Sequence, residues 1–114
     1  MISLFTIQFL PQSKRQKLIK KIYENLNWGG GFIFAEKVRS FDARTQDMSN
    51  QIYQEWKKKK GFSINEIYHK SKSLKGILDP FSSKGNYDLL KRSGFKDYVT
   101  LVKYINFELI LAIK

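Results

Sequence analysis

The chain contains two kinds of apolar segment: short continuous runs, and longer segments in which apolar residues recur every three or four positions. The first run, residues 2–10, is almost uninterrupted, which favours a strand buried on both faces as in a parallel sheet. From Ser13 to Leu26 the apolar residues have helical spacing, and a second short buried strand follows at 32–35. Strand, helix and strand in this order predict a βαβ unit with parallel strands.

The middle of the chain predicts two helices. Apolar residues recur at helical spacing over about 44–60 and again over 64–78. Ser63 begins the second helix, because a serine followed three residues later by glutamate is the capping-box pattern. These helices form an insertion at about 42–78 between the βαβ unit and the end of the chain.

The last third predicts a short helix and a hairpin. The helix covers about 86–92, and strands follow at 98–105 and 107–113. Since only Asn106 separates the two strands, they must be antiparallel neighbours. The whole pattern predicts a single α/β domain whose sheet has a parallel part and an antiparallel end.

Three consecutive glycines, Gly29–Gly31, are the only match to a glycine-rich motif. A loop that cradles a nucleotide follows a strand and opens a helix, whereas these glycines follow a helix. We therefore expect them to cap that helix.

Composition narrows the class of protein. A chain of 114 residues that is 42% hydrophobic suits one small packed domain. The lack of cysteine excludes disulfides, thiolate metal sites and thiol nucleophiles. No apolar run approaches the roughly 20 residues of a membrane span, and we expect a cytoplasmic protein. The net charge of +11 suits a nucleic-acid or other polyanion partner, or simply a lysine-rich solvated surface.

Four stretches together carry a family resemblance: FTIQFLPQSKRQKLIKKIYENLNWGGGFIFAEK, KKGFSINEI, SGF and INFELILAIK. They resemble the C-terminal half of class I S-adenosylmethionine-dependent methyltransferases, and most of all the carboxy-S-adenosylmethionine synthase family of tRNA wobble-uridine modification. The resemblance implies an incomplete Rossmann-like sheet made of strands four to seven. It also implies S-adenosylmethionine or carboxy-S-adenosylmethionine as the cofactor.

The resemblance also implies missing parts. The family's glycine-rich cofactor loop and its ribose-binding acid lie before the strand with which this chain starts. We therefore expect no cofactor binding and no catalysis by this chain alone. Strand 2–10 would have an open edge, which a homodimer or a separate N-terminal half would close. A sequence truncated upstream is an equal alternative.

Two positions of the family's site can be compared directly. Leu4 stands where the family has an asparagine that lines the cofactor site, and Ser71 stands where it has the arginine that grips the extra carboxylate. Both substitutions remove hydrogen-bonding groups. We expect Ser71 to face inward, Lys75 to reach the same side, and Lys70 and Lys72 to point away from it.

Two other polar residues are weighed for chemistry. Glu36 follows the second strand, and the carboxyl ends of parallel strands face the ligand crevice. The structural alternative is a strand-end carboxylate that pairs with Lys37 or Arg39. The single histidine, His69, stands among lysines on a helix and is expected at the solvated surface.

One basic run has aromatic neighbours. Trp56 and Phe62 bracket Lys57, Lys58, Lys59 and Lys60, an arrangement that suits contact with an RNA backbone and stacking on a base. The alternatives are a core tryptophan and a helix end whose lysines oppose the helix dipole.

Two functions follow from the sequence. The first is a truncated methyltransferase-like, carboxy-S-adenosylmethionine synthase-like protein that is inactive alone. The second is a basic RNA- or polyanion-binding module without catalysis.

Overall fold

The computed structural model describes residues 1–114. No helix in it combines the length and apolar character that crossing a bilayer requires. A short 3-10 helix at Ile7–Phe9 interrupts the first part of the chain. The regular elements are β1 (Ile2–Leu4), α1 (Gln12–Asn25), β2 (Gly31–Lys37), α2 (Ala43–Lys59), α3 (Ile64–Leu74), α4 (Ser83–Ser93), β3 (Asp97–Tyr104) and β4 (Phe107–Ile113).

The sheet is mixed and has the order β1-β2-β4-β3. β1 and β2 are parallel, with Ile2 opposite Ile33, while β4 is antiparallel to both of its neighbours. The predicted α/β fold, its βαβ unit and its terminal hairpin are therefore confirmed. β1 and β3 are the edge strands, each with one partner.

One face of the sheet is covered by α1 and α4. Alternate residues of β2 and β4 point to this side because successive side chains of a strand face opposite ways. The core residues of this layer are Ile7, Ile19, Ile22, Phe32, Phe34, Leu89, Leu90, Phe95, Ile110 and Ala112.

The other face of the sheet is largely uncovered. Strand register places two apolar rows across it, Ile2-Ile33-Leu111-Val99 and Leu4-Ala35-Leu109-Val102. The edge-strand members of these rows are between 50% and 68% exposed. α2 reaches only one end of this face, where Tyr53 packs edge-on against Phe107 at 5.3 Å. We call these two rows the open sheet face.

The prediction of a continuous strand over 2–10 is wrong beyond Leu4. The backbone reverses at Phe5, whose φ is +52°, and the chain then forms the 3-10 helix. The reason is a pair of charged side chains, Glu36 from β2 and Arg15 from the following helix α1, which bind the backbone of this segment.

Three other boundaries differ from the sequence pattern. α3 ends at Leu74, and Gly76 follows in a turn with φ of +75°. α4 begins earlier than predicted because the Ser82 side chain accepts the Gly85 N–H. The glycines at 29–31 do not cap α1, which ends at Asn25, but form the turn into β2.

Candidate functional site

Glu36 lies at the carboxyl end of β2 and is buried, with 3% of its surface exposed. Its two carboxylate oxygens accept the backbone N–H groups of Ile7 at 3.1 Å and Gln8 at 3.0 Å. Burial raises the pKa of Glu36, and the backbone hydrogen bonds oppose that rise. The expected pairing with Lys37 or Arg39 is wrong, because the backbone of the 3-10 helix occupies both oxygens.

Arg15 is a buried side chain of opposite charge that binds the same backbone segment, and it is only 2% exposed. Its guanidinium donates to the carbonyls of Gln8 at 3.0 Å, Leu10 at 2.9 Å and Asp79 at 2.6 Å. Arg15 was not predicted from the sequence to have a structural or functional role. Its spacing from Ile19, one turn away on the buried face of α1, is the signal that would have identified it.

A second buried carboxylate, Glu108, was also missed. It stands opposite Glu36 in the register of β2 and β4. Ser83 Oγ and Lys103 Nζ both donate to Glu108 Oε1, the lysine at 3.0 Å. The two carboxylates therefore have separate partners, and both tie elements of the fold together.

A cleft of about 730 Å³ opens between α2, α3 and the segment after β2. Ser71 and Lys75 line it on the same side of α3, but Ser71 is exposed and does not face inward as predicted. Lys70 and Lys72, which were expected to point away on either side of Ser71, also line the cleft. α3 buries only Ile67, which leaves the long lysine side chains on either side of Ser71 free to reach the cleft.

The basic run at the end of α2 is divided by the helix. Lys57 lines the cleft and lies over the Tyr53 ring, with 4.3 Å from Nζ to the centroid. Lys58 lies instead on a shallow surface beside acidic residues. Trp56 is half-buried between Tyr53 and Tyr104, with ring centroids 6.0 and 6.1 Å away.

The remaining predicted positions are exposed. Leu4 ends β1, is 56% exposed and presents only carbon atoms. His69 is exposed on α3, as predicted, with its ring 5.7 Å from that of Tyr68. Leu4 offers no hydrogen-bonding side-chain group and Ser71 offers only a hydroxyl, so neither supplies the amide or guanidinium that the resemblance implies at these positions.

Sequence comparison finds relatives among the carboxy-S-adenosyl-L-methionine synthases, although no protein-family model matches the chain. The chain is 40% identical over 112 residues to the carboxy-S-adenosyl-L-methionine synthase of Staphylococcus epidermidis, covering 98% of this chain and 49% of that protein. It is 40% identical over 113 residues to the synthase of Campylobacter lari, covering 99% of this chain and 48% of that protein. The chain thus spans about half the length of the curated relatives it matches.

Solved structures that superpose on the chain include methyltransferases. Human N-acetylserotonin methyltransferase in complex with SAM superposes with a TM-score of 0.61 at 19% identity, over 99% of this chain and 28% of that one. A SAM-dependent methyltransferase of Thermotoga maritima gives 0.58 at 18% identity, over 99% and 54%. The resemblance predicted from the sequence is confirmed: the chain has a partial SAM-methyltransferase fold and is similar in sequence to about half of a carboxy-S-adenosyl-L-methionine synthase.

Proposed function

We propose that this chain acts as one half of a methyltransferase-like enzyme related to the carboxy-S-adenosyl-L-methionine synthases. In this proposal the cofactor binds only when an N-terminal half of such an enzyme completes the sheet. The observation that carries it is the open sheet face beside the free edge of β1, in a chain that matches half the length of its relatives. By resemblance, the completed enzyme serves tRNA wobble-uridine modification.

The free edge of β1 can accept another strand. Met1 and Phe5 bond to β2, through Met1 N to Gly31 O, Ile33 N to Met1 O and Phe5 N to Ala35 O. Because backbone groups alternate in direction along a strand, those of Ile2 and Leu4 point to the free edge. The Leu4 carbonyl accepts the Thr6 hydroxyl at 2.9 Å, which leaves both backbone groups of Ile2 and the Leu4 N–H for a new strand. Unpaired edge groups of this kind are a template for strand addition.

A partner that adds only a strand to β1 does not cover the open sheet face. Each of its edge-strand residues is half-exposed or more, and burying the exposed part contributes about 1 kcal/mol per side chain. A second copy paired through β1 extends the sheet but leaves this face bare. An N-terminal half that brings both a strand and helices covers edge and face together, and for this reason we favour it over a homodimer.

The test is reconstitution with a relative's complementary half. The chain is co-expressed with the part of the Staphylococcus epidermidis synthase that lies outside the 112 matched residues. We expect a one-to-one complex by light scattering and saturable S-adenosylmethionine binding by calorimetry, with no binding to either half alone. Absence of a complex, or equal cofactor binding by this chain alone, would contradict the proposal.

A pair of edge variants makes the test specific to β1. Leu4→Pro removes an N–H group that points to the free edge, whereas Leu4→Val keeps it. We expect Leu4→Pro to lose the complex and Leu4→Val to retain it. An unchanged circular dichroism spectrum and thermal midpoint of the isolated chain in both variants would show that the overall fold is retained.

A further inference from the structure

The cleft between α2 and α3 concentrates positive charge. Its lining includes no aspartate or glutamate, and it combines cations from three parts of the chain. Two come from the end of β2 and the residues just after it, one from α2, and three from α3 and its C-terminal cap. These cations are Lys37, Arg39, Lys57, Lys70, Lys72 and Lys75.

Two of these cations, Lys37 and Lys57, contact the same aromatic ring. Lys37 Nζ lies 5.2 Å from the centroid of the Tyr53 ring, and Lys57 Nζ lies 4.3 Å from the centroid of the same ring. Burial and then repulsion from Lys57 lower the pKa of Lys37, and burial and then repulsion from Lys70 lower the pKa of Lys57. A bound anion would relieve this repulsion.

The fold supplies almost no counter-charge to this cleft. Of its six cations only Arg39 has an acidic partner, Asp79, at 3.9 Å. The other ion pairs of the chain join Lys84 to Asp88 and Lys103 to Glu108, outside the cleft. Five lysines are thus left without a carboxylate, and neutral hydrogen-bonding groups from Asn50, Tyr53 and Ser71 lie among them.

We propose that this cleft is a binding site for a ligand that carries two or more phosphate groups. Lysine ammonium groups are compact charges that suit phosphate oxygens without requiring the planar geometry of a guanidinium. Their spread along both walls of a 730 Å³ cleft favours a ligand with several charges over a single anion. The site goes beyond the proposed function in its ligand, a phosphate-bearing molecule, and in its walls, which the helical insertion mainly builds; it shares Ser71 with the cofactor site that the resemblance implies.

The phosphates have two sources, a free oligophosphate and a nucleic-acid backbone. The probes are therefore inorganic tripolyphosphate and a 12-nucleotide single-stranded RNA, each titrated calorimetrically into the whole chain at about 0.15 M salt, where the Debye length is about 8 Å. Saturable one-to-one binding of tripolyphosphate supports a free-ligand source. Binding of the RNA alone, dependent on the cleft, supports a backbone source.

Matched triple variants separate the cleft from the net charge. Lys57→Gln, Lys70→Gln and Lys75→Gln remove three cleft charges, while Lys14→Gln, Lys17→Gln and Lys20→Gln remove three exposed charges elsewhere. We expect the cleft variant to lose about tenfold or more in affinity and the control less than threefold. Equal losses in both variants, or no binding of either probe at 1 mM, would overturn the proposal.

The two proposals fail separately. Loss of the cleft charges is expected to leave the complex with a complementary half intact, since that complex rests on β1 and the open sheet face. A cleft variant that cannot form the complex would place the two surfaces in one interface and would overturn the cleft as an independent site.

Discussion

Arg15 gives the sharpest test of how the first segment of the chain is held. It is the largest fully buried side chain, and its guanidinium bonds three backbone carbonyls from two segments. It also lies over the Phe81 ring, 4.5 Å from the centroid. Replacing it by methionine keeps much of the apolar stem but removes every donor.

The expected cost follows from those carbonyls. The Gln8 carbonyl is buried at this bond and would keep only the longer bond from the Asp79 N–H, at 3.3 Å, so loss of the charged donor costs about 1–2 kcal/mol here. The bonds to Leu10 and Asp79 are only partly buried, so water can replace them at a cost nearer 1 kcal/mol each. Removing a buried charge recovers part of the sum. We expect Arg15→Met to lower the free energy of unfolding by about 3 kcal/mol.

Urea unfolding followed by circular dichroism measures this loss. Arg15→Lys is expected to lose about 2 kcal/mol, because a single ammonium cannot span three carbonyls. Arg92→Met is the control, since Arg92 is exposed and bonds only the Gln16 side chain; we expect less than 0.5 kcal/mol. The reasoning is refuted if Arg15→Met is as mild as Arg92→Met, or if Arg15→Lys equals the parent chain.

Three further predictions concern stability. Gly94→Ala should cost about 2 kcal/mol by thermal unfolding, because Gly94 has φ of +114° and an added Cβ would meet Tyr23 Cε1 at 2.8 Å. Ser63→Ala should cost about 1 kcal/mol and shorten α3, because the Ser63 hydroxyl accepts the Glu66 N–H. Because burial raises the pKa of Glu36 above its ordinary 4.5, its contribution to stability should fall as pH rises above 4.5. Glu36→Gln should abolish this pH dependence of stability, which urea midpoints measured at successive pH values would show.

Each of these has a control within the chain. Gly29→Ala has a positive φ of +76° but open space around the added Cβ, so it should cost less than Gly94→Ala. Ser63→Thr retains the hydroxyl and should retain α3. Glu24→Gln changes an exposed carboxylate and should leave the pH slope in place. A parent and a Glu36→Gln variant with identical pH slopes would contradict the role assigned to burial.

The local pattern of the chain determined most of its elements. Helical spacing placed α1, α2 and α3, and the nearness of 98–105 to 107–113 required the antiparallel hairpin. These predictions succeeded because amphipathic periodicity, capping by Ser63 and short connections act within a few residues of one another. The resemblance to half of a methyltransferase was also predicted, from four short stretches of the sequence.

Tertiary contacts decided the rest. Residues 5–10 have an apolar pattern that suits a strand, but Glu36 and Arg15 bind their backbone and bend it into a 3-10 helix. The backbone N–H groups of this segment bind the Glu36 carboxylate, which was predicted to pair with a neighbouring cation instead. No periodicity encodes a hydrogen bond across 28 residues.

The cleft has the same origin. Three lysines that line the cleft are far apart in the sequence: Lys37, Lys57 and Lys70. Each of them, taken alone, is typical of a solvated charge at a strand end or on a helix face. Only the placement of α2 and α3 beside the end of β2 brings them to one cavity without a counter-charge. Local sequence determines neither the direction of these side chains nor how many of them meet in one place, because both depend on how the elements pack.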